Sequence, residues 1–207
     1  MSSSSLMRWA GLAALIGGVL LVTVELLEFA LIGGQPESAV AGSGALVTVR
    51  MFFVAALLLM LLGLVGLYAR QAQYTGGLGL IAFLLAFIGT FMVGGAQWTA
   101  AFIGPWLASA APELLDSEPA GLLSAAFLLS FVLLALGWLL FGWVSRQAGV
   151  LPGGAAALLM VGAVLLLVLL LLELPGATVV FGAALAWMGY ALWSRPFEHA
   201  PVPKVAM

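Results

Sequence analysis

Six stretches of the sequence, each near the length of one bilayer crossing, hold almost nothing but apolar residues: 9–32, 49–68, 77–103, 121–144, 154–172 and 177–193. A hydrocarbon core of about 30 Å is spanned by about 20 helical residues, since each advances the axis by about 1.5 Å. Inside hydrocarbon no water meets the backbone, so only helices and closed barrels satisfy its amides. These runs are unbroken and lack the alternation of barrel strands. They predict an all-α integral membrane protein, a six-transmembrane-helix bundle. Residues 1–207 form one domain, with flexible tails at 1–6 and 196–207. A signal peptide is the alternative for the first run, but the run is long for one and no clean small-residue cleavage site follows.

The composition agrees. Of 207 residues, 65% are hydrophobic and 7% charged, and the mean hydropathy is +1.26. Soluble domains carry about 25% charged residues. A shell of that kind cannot be built here, which excludes a soluble enzyme, a nucleic-acid-binding module and a disordered chain. There is no Cys, hence no disulfide or thiolate metal site. The single His, His199, lies in the polar tail, so no His-ligated haem or buried His metal site is expected. A net charge of −2 gives no reason to expect nucleic acid as a partner. No cofactor and no metal are expected.

Turn residues punctuate the runs. Gly33-Gly34-Gln35-Pro36 closes the first, Pro105 the third, and Leu174-Pro175-Gly176 reads as a tight turn before the sixth. Ser117-Glu118-Pro119 has the pattern of an N-terminal cap for the fourth helix. Lys and Arg collect on the cytoplasmic side of membranes. With six spans, Arg8, Arg70, Arg146, Arg195 and Lys204 share one side. Glu37, Glu113, Asp116, Glu118 and Glu173 share the other, with Arg50 as the only base there. The expectation is a plasma-membrane protein of bacterial type with both termini cytoplasmic.

The second, fourth and sixth runs end alike, in Leu67-Tyr68-Ala69-Arg70, Trp143-Val144-Ser145-Arg146 and Leu192-Trp193-Ser194-Arg195. Arg70-Gln71-Ala72 is matched by Arg146-Gln147-Ala148, and Gly pairs follow at Gly76-Gly77 and Gly153-Gly154. The pattern reads either as three repeated helical hairpins or as the ordinary punctuation of inner helix ends. Lipid is as apolar as Leu, so helices associate by close backbone approach and polar contacts. Small residues four apart mark candidate interior faces: Ala10, Ala14 and Gly18; Ala82, Ala86, Thr90 and Gly94; Gly182 and Ala186. The first run is expected to pack on the third through Ala14, Gly18, Ala86 and Thr90. The outer half of the fifth, Val and Leu throughout from Val164 to Leu172, is expected to face lipid or a partner.

Ionisable residues within a span are costly, about 2.5–3.5 kcal/mol each on insertion scales, and so point to function. Glu25 and Glu28 qualify, three apart and on one helical face. Arg50 opens the second run at similar depth, and Gln97 lies near the outer end of the third. Arg50 is expected within ion-pair reach of one of the two carboxylates, with Gln97 completing the hydrogen bonds. Two uses fit: a structural ion pair near the interface, or an outward-facing polar pocket for a cation, a proton or a small polar ligand. No HExxH, GxSxG or P-loop pattern is present.

The reading that follows is a non-catalytic accessory or scaffold subunit of a larger membrane assembly. Its partners are the lipid bilayer and other membrane subunits or copies of itself. The alternative is a small transporter, channel or ligand-binding module using the pocket around Glu25, Glu28 and Arg50. An enzyme acting on lipid at the outer surface ranks last. Cysteines introduced at positions 38 and 72 are expected to label from opposite sides of the membrane. Labelling of both from the same side would overturn this topology.

Overall fold

Gly76 shapes the longest element of the protein. In the computed structural model, residues 3–117, 120–172 and 174–194 are described; the expected C-terminal tail 196–207, Glu118, Glu173, Arg195 and Lys204 lie outside them, while residues 3–6, expected as part of a flexible tail, are helical and open the first element. The elements are α1 (Ser3–Ile32), α2 (Glu37–Val40), α3 (Gly44–Phe102), α4 (Gly104–Ala110), α5 (Pro112–Leu115), α6 (Leu122–Ala148), α7 (Gly153–Leu171) and α8 (Val179–Ser194). Among the described residues there is no strand. α3 is not straight: Gly76 sits at φ 55°, ψ −151°, a conformation that glycine alone enters without strain. Two arms, 44–75 and 77–102, fold back on each other there. The Tyr68 and Phe83 rings stack across them at 4.6 Å. Farther out, Leu57 and Leu61 share a cleft with Phe91 and Gly94, and Arg50 lies beside Gly104. Facing residues are thus nearly equidistant from Gly76.

Four helices among the described residues are long and apolar enough to cross a membrane: Ser5–Ile32, Gly44–Phe102, Leu122–Ala148 and Gly153–Leu171. α8 is also apolar but has 16 described residues. The sequence leads one to expect six separate helices, and the counts differ for a local reason. Helical structure continues through the reversal at Gly76, where a connecting loop at 69–76 was expected. The cap at Ser117-Glu118-Pro119 also needs correction. Gly121 is the N-cap of α6, at φ 62°, and the Ser117 hydroxyl donates to the Leu114 carbonyl instead.

Helix neighbours form a closed circuit of antiparallel pairs, and every pair but the two arms of α3, which meet through Tyr68 and Phe83, packs at glycine. Ala14 of α1 lies on Gly63 of the first α3 arm, and Ala10 on Gly66. Gly18 of α1 faces Gly182 and Ala186 of α8. Ala86 of the second arm faces Gly137 of α6, and Leu134 faces Gly89. Gly142 of α6 abuts Ala156 and Met160 of α7, and Gly162 of α7 meets Phe181 of α8. The absent Cβ lets each pair of backbones approach closely, which supplies the dispersion contacts that hold helices together in lipid.

The small-residue ladders therefore mark interfaces, except at Gly94, which faces an open cleft, but the expected pairing of the first and third spans is wrong. Ala14 and Gly18 pack on the first arm and on α8, while Ala86 and Thr90 pack on α6. A small residue permits close approach without specifying what approaches, so the ladder carries no partner identity.

The middle of the circuit is filled. Trp138, Phe141, Phe181, Leu64 and Met60 are buried there, with Trp138 edge-on to both Phe141 and Phe181. A central void of about 30 Å³ touches α1, both α3 arms, α6, α7 and the turn before α8, and Thr178 is its only polar lining residue. Polar contact inside the bundle is provided by Thr90, whose hydroxyl accepts from Trp138 Nε1 at 3.0 Å and donates to the Ala86 carbonyl at 2.6 Å. Along 164–172, Val164, Val168, Leu171 and Leu172 are exposed, four residues are half-buried and Leu166 is turned inward.

Glycine substitutions separate seam from surface. A Cβ at Gly137 would collide with the Ala86 backbone, whereas one at Gly94 meets nothing. Gly137→Ala is expected to destabilise by about 1–3 kcal/mol through overpacking. Gly94→Ala is expected to be neutral or stabilising by up to about 1 kcal/mol through helix propensity. Denaturant titration in detergent micelles measures both.

Candidate functional site

Arg50 lies near the start of α3, with its side chain 5% exposed. A guanidinium stays charged in nearly every setting, so burial demands anionic partners. Two are present. Arg50 Nε donates to Glu28 Oε1 at 3.0 Å, and Arg50 Nη1 lies 3.0 Å from Glu37 Oε1. The Glu28 side chain is 19% exposed and that of Glu37 41%, so the cluster grades outward into solvent. α1 contributes Glu28 from its last turn but one, and α2 contributes Glu37 from the short connection that brings α3 beside α1.

Glu25 is one turn below Glu28 on the same face, yet it reaches a different neighbour. Its Oε1 accepts from the Gly176 amide at 3.0 Å and its Oε2 from the Thr178 hydroxyl at 2.9 Å. Both donors belong to the turn joining α7 and α8. Gln97 is half-buried and bonds to none of these carboxylates. Arg50 lies beside Gly104, and Gln97 is about 10 Å farther down the second arm, out of reach of the cluster.

The connection between α3 and α6, at the same end of the bundle, is tied as well. Asp116, just after α5, accepts from both the amide (3.0 Å) and the hydroxyl of Ser38 in α2. Those bonds hold the Asp116 carboxyl below the usual carboxylate range, the Ser38 hydroxyl contributing most and its amide next. The connections α1–α3, α3–α6 and α7–α8 are thus each fastened by an acidic side chain. Asp116, Glu37, Gly176 and Thr178 were not assigned such roles from sequence. No periodicity links Glu25 to Thr178, which is 153 positions away.

Chemically, the arrangement holds loops to helix ends. Among the described residues carboxylates outnumber the single base around Arg50, so the surface at that end of the bundle is negative. Among the described residues no group of three or more His, Cys, Asp or Glu is placed to hold a metal ion. An apolar cleft of about 250 Å³ opens sideways between the α3 arms, walled by Leu58, Leu61, Phe91, Gly94 and Trp98 among others. Neither this cleft nor the central void is lined by Glu25, Glu28, Arg50 or Gln97. No protein-family pattern, no characterised protein and no solved structure matches the chain.

Replacing Arg50 with Met leaves Glu28 largely enclosed without its cation. Breaking one side of a buried pair costs about 3–5 kcal/mol. Arg50→Met is expected to destabilise by roughly that amount, and adding Glu28→Gln should recover part of it, measured as a change in unfolding midpoint. Asp116 sets a pH dependence of known sign. A carboxyl held low when folded contributes stability above its unfolded pKa and loses it as pH falls through the folded value. Hydrogen exchange at the Ser38 amide, corrected for intrinsic rate, is therefore expected to quicken as pH drops below the carboxylate range. Asp116→Asn should abolish that pH dependence.

Proposed function

We propose that this chain is a non-catalytic multi-pass membrane protein, an accessory or scaffold subunit of a larger membrane assembly. Six crossings are made by α1, the two arms of α3, α6, α7 and α8. Both termini face the cytoplasm, and the membrane is a bacterial plasma membrane. The antiparallel circuit supports the crossing number, because its members alternate in direction and Gly76 lies at the opposite end from Arg50. The Lys and Arg distribution supports the orientation.

The observation that carries the functional reading is the use made of the outer polar groups. Glu28 and Glu37 meet Arg50, Glu25 meets the α7–α8 turn, and Asp116 meets Ser38. These groups fasten the chain to itself. The interior beneath them is closed by Trp138, Phe141 and Phe181, and the described residues offer no sequence of polar groups along which an ion would pass. A filled bundle with a broad apolar exterior suits a subunit that positions others.

The alternative, a small transporter, channel or ligand-binding module opening outward, draws support from the excess of carboxylates over bases around Arg50. The two readings diverge in mild-detergent purification of the tagged protein from native membranes. A stable partner in fixed stoichiometry is the expected result. Recovery as a lone monomer or homo-oligomer, together with cation uptake in liposomes that Glu25→Gln abolishes without unfolding, would replace the scaffold reading with the transporter.

A further inference from the structure

We propose that Gln71 and Ser145 form an internal hydration site, holding ordered water at the end of the bundle where α3 reverses. Both side chains are fully buried, at 0% exposure. Neither amide atom of Gln71 and not the Ser145 hydroxyl has a hydrogen-bond partner among the described residues. Buried polar side chains are almost always bonded, to protein or to ordered water, because the loss of hydration is otherwise uncompensated.

The two residues lie on stripes that face the middle of the bundle. Leu57 lines the central void, and Leu64 and Gln71 repeat its face at intervals of two turns along the first α3 arm. Trp138 packs on Phe181 in the interior, and Ser145 lies two turns beyond it on α6. Both helices run in the same direction. From the level where Leu57 and Leu134 meet, Gln71 is about 21 Å along and Ser145 about 17 Å, roughly one turn apart in depth.

Ser145 also departs from the habit of its own chain. Thr23, Thr48, Thr90, Thr99 and Ser130 each donate to the carbonyl four residues earlier. That back-bond is the usual resting place for a helical hydroxyl in an apolar setting. Ser145 does not make it, so its donor and acceptor capacity is open toward the interior. The Gln71 amide adds two donors and an acceptor. The set is uncharged and of mixed polarity, and Arg70 and Arg146 are its nearest charges along the chain. Water matches it, and among the described residues every carboxylate lies toward the opposite end of the bundle, so none is placed to hold a cation there.

The test is magnetisation transfer from water protons to side-chain nitrogen in solid-state NMR of the uniformly labelled protein in bilayers. Trp138 Nε1 is the internal control, equally enclosed but bonded to Thr90. Fast transfer to Gln71 Nε2, with none to Trp138 Nε1, is expected, and Ser145→Ala should slow it. The Gln71 resonance is assigned by backbone correlation, so no variant at that position is needed. Transfer to Gln71 no faster than to Trp138 would overturn the site. Transfer that Ser145→Ala leaves unchanged would overturn its being shared.

Discussion

Hydrocarbon gives helices little reason to associate by burial alone, so this bundle depends on backbones that come near enough to touch. Glycine makes that approach possible at five of the six seams of the circuit, the exception being the pair of α3 arms. Gly63 receives Ala14, Gly18 faces Gly182, Gly137 faces Ala86, Gly142 abuts Met160 and Gly162 meets Phe181. The bulky side chains are then driven to the middle, where Trp138, Phe141 and Phe181 close the space. A wider-spaced circuit would need a larger interior filling or would leave a pore.

Close packing fixes the helices but not the connections between them, and polar chemistry completes that task at the end of the bundle that holds Arg50. α1 carries two carboxylates one turn apart, and they diverge: Glu28 toward α3 and Glu25 toward the α7–α8 turn. The helix at one closing point of the circuit thereby holds its neighbours on both sides. Asp116 joins the other two connections through Ser38. Buried ion pairs are weak contributors to net stability, yet breaking one is costly, so such groups specify a single arrangement more than they deepen it. On this account the charged residues near the outer surface are fastenings, and the proposed scaffold role rests on a shape they hold constant.

Much of this was legible in the sequence. Four of the six apolar runs locate their helices to within about four residues, because hydrocarbon thickness sets a length that composition reveals; the first begins six residues late and the second ends seven early, where helix continues into polar sequence. Glu25, Glu28 and Arg50 stand out because charge in such a chain is rare. Other features were not legible for definite reasons. Gly76 reads as an ordinary loop glycine, and only its dihedral angles show that helix runs up to it from both sides. Ala14 and Ala86 read as interface residues, but a methyl group names no partner. Gln97 shares a polar character with the Arg50 cluster and not its depth. Thr178 lies in a turn whose register against α1 depends on how the whole circuit closes.

The claim that the outer carboxylates fasten connections is tested most directly by a double-mutant cycle between Glu25 and Thr178. Glu25→Gln, Thr178→Val and the double variant are unfolded in detergent, and the coupling energy is taken from the four stabilities. Hydrogen bonds to a charged group contribute about 1.5–3 kcal/mol, so a coupling of about 1 kcal/mol or more is predicted. Single-variant effects that simply add would show that Glu25 does not hold the α7–α8 turn, and would contradict the account.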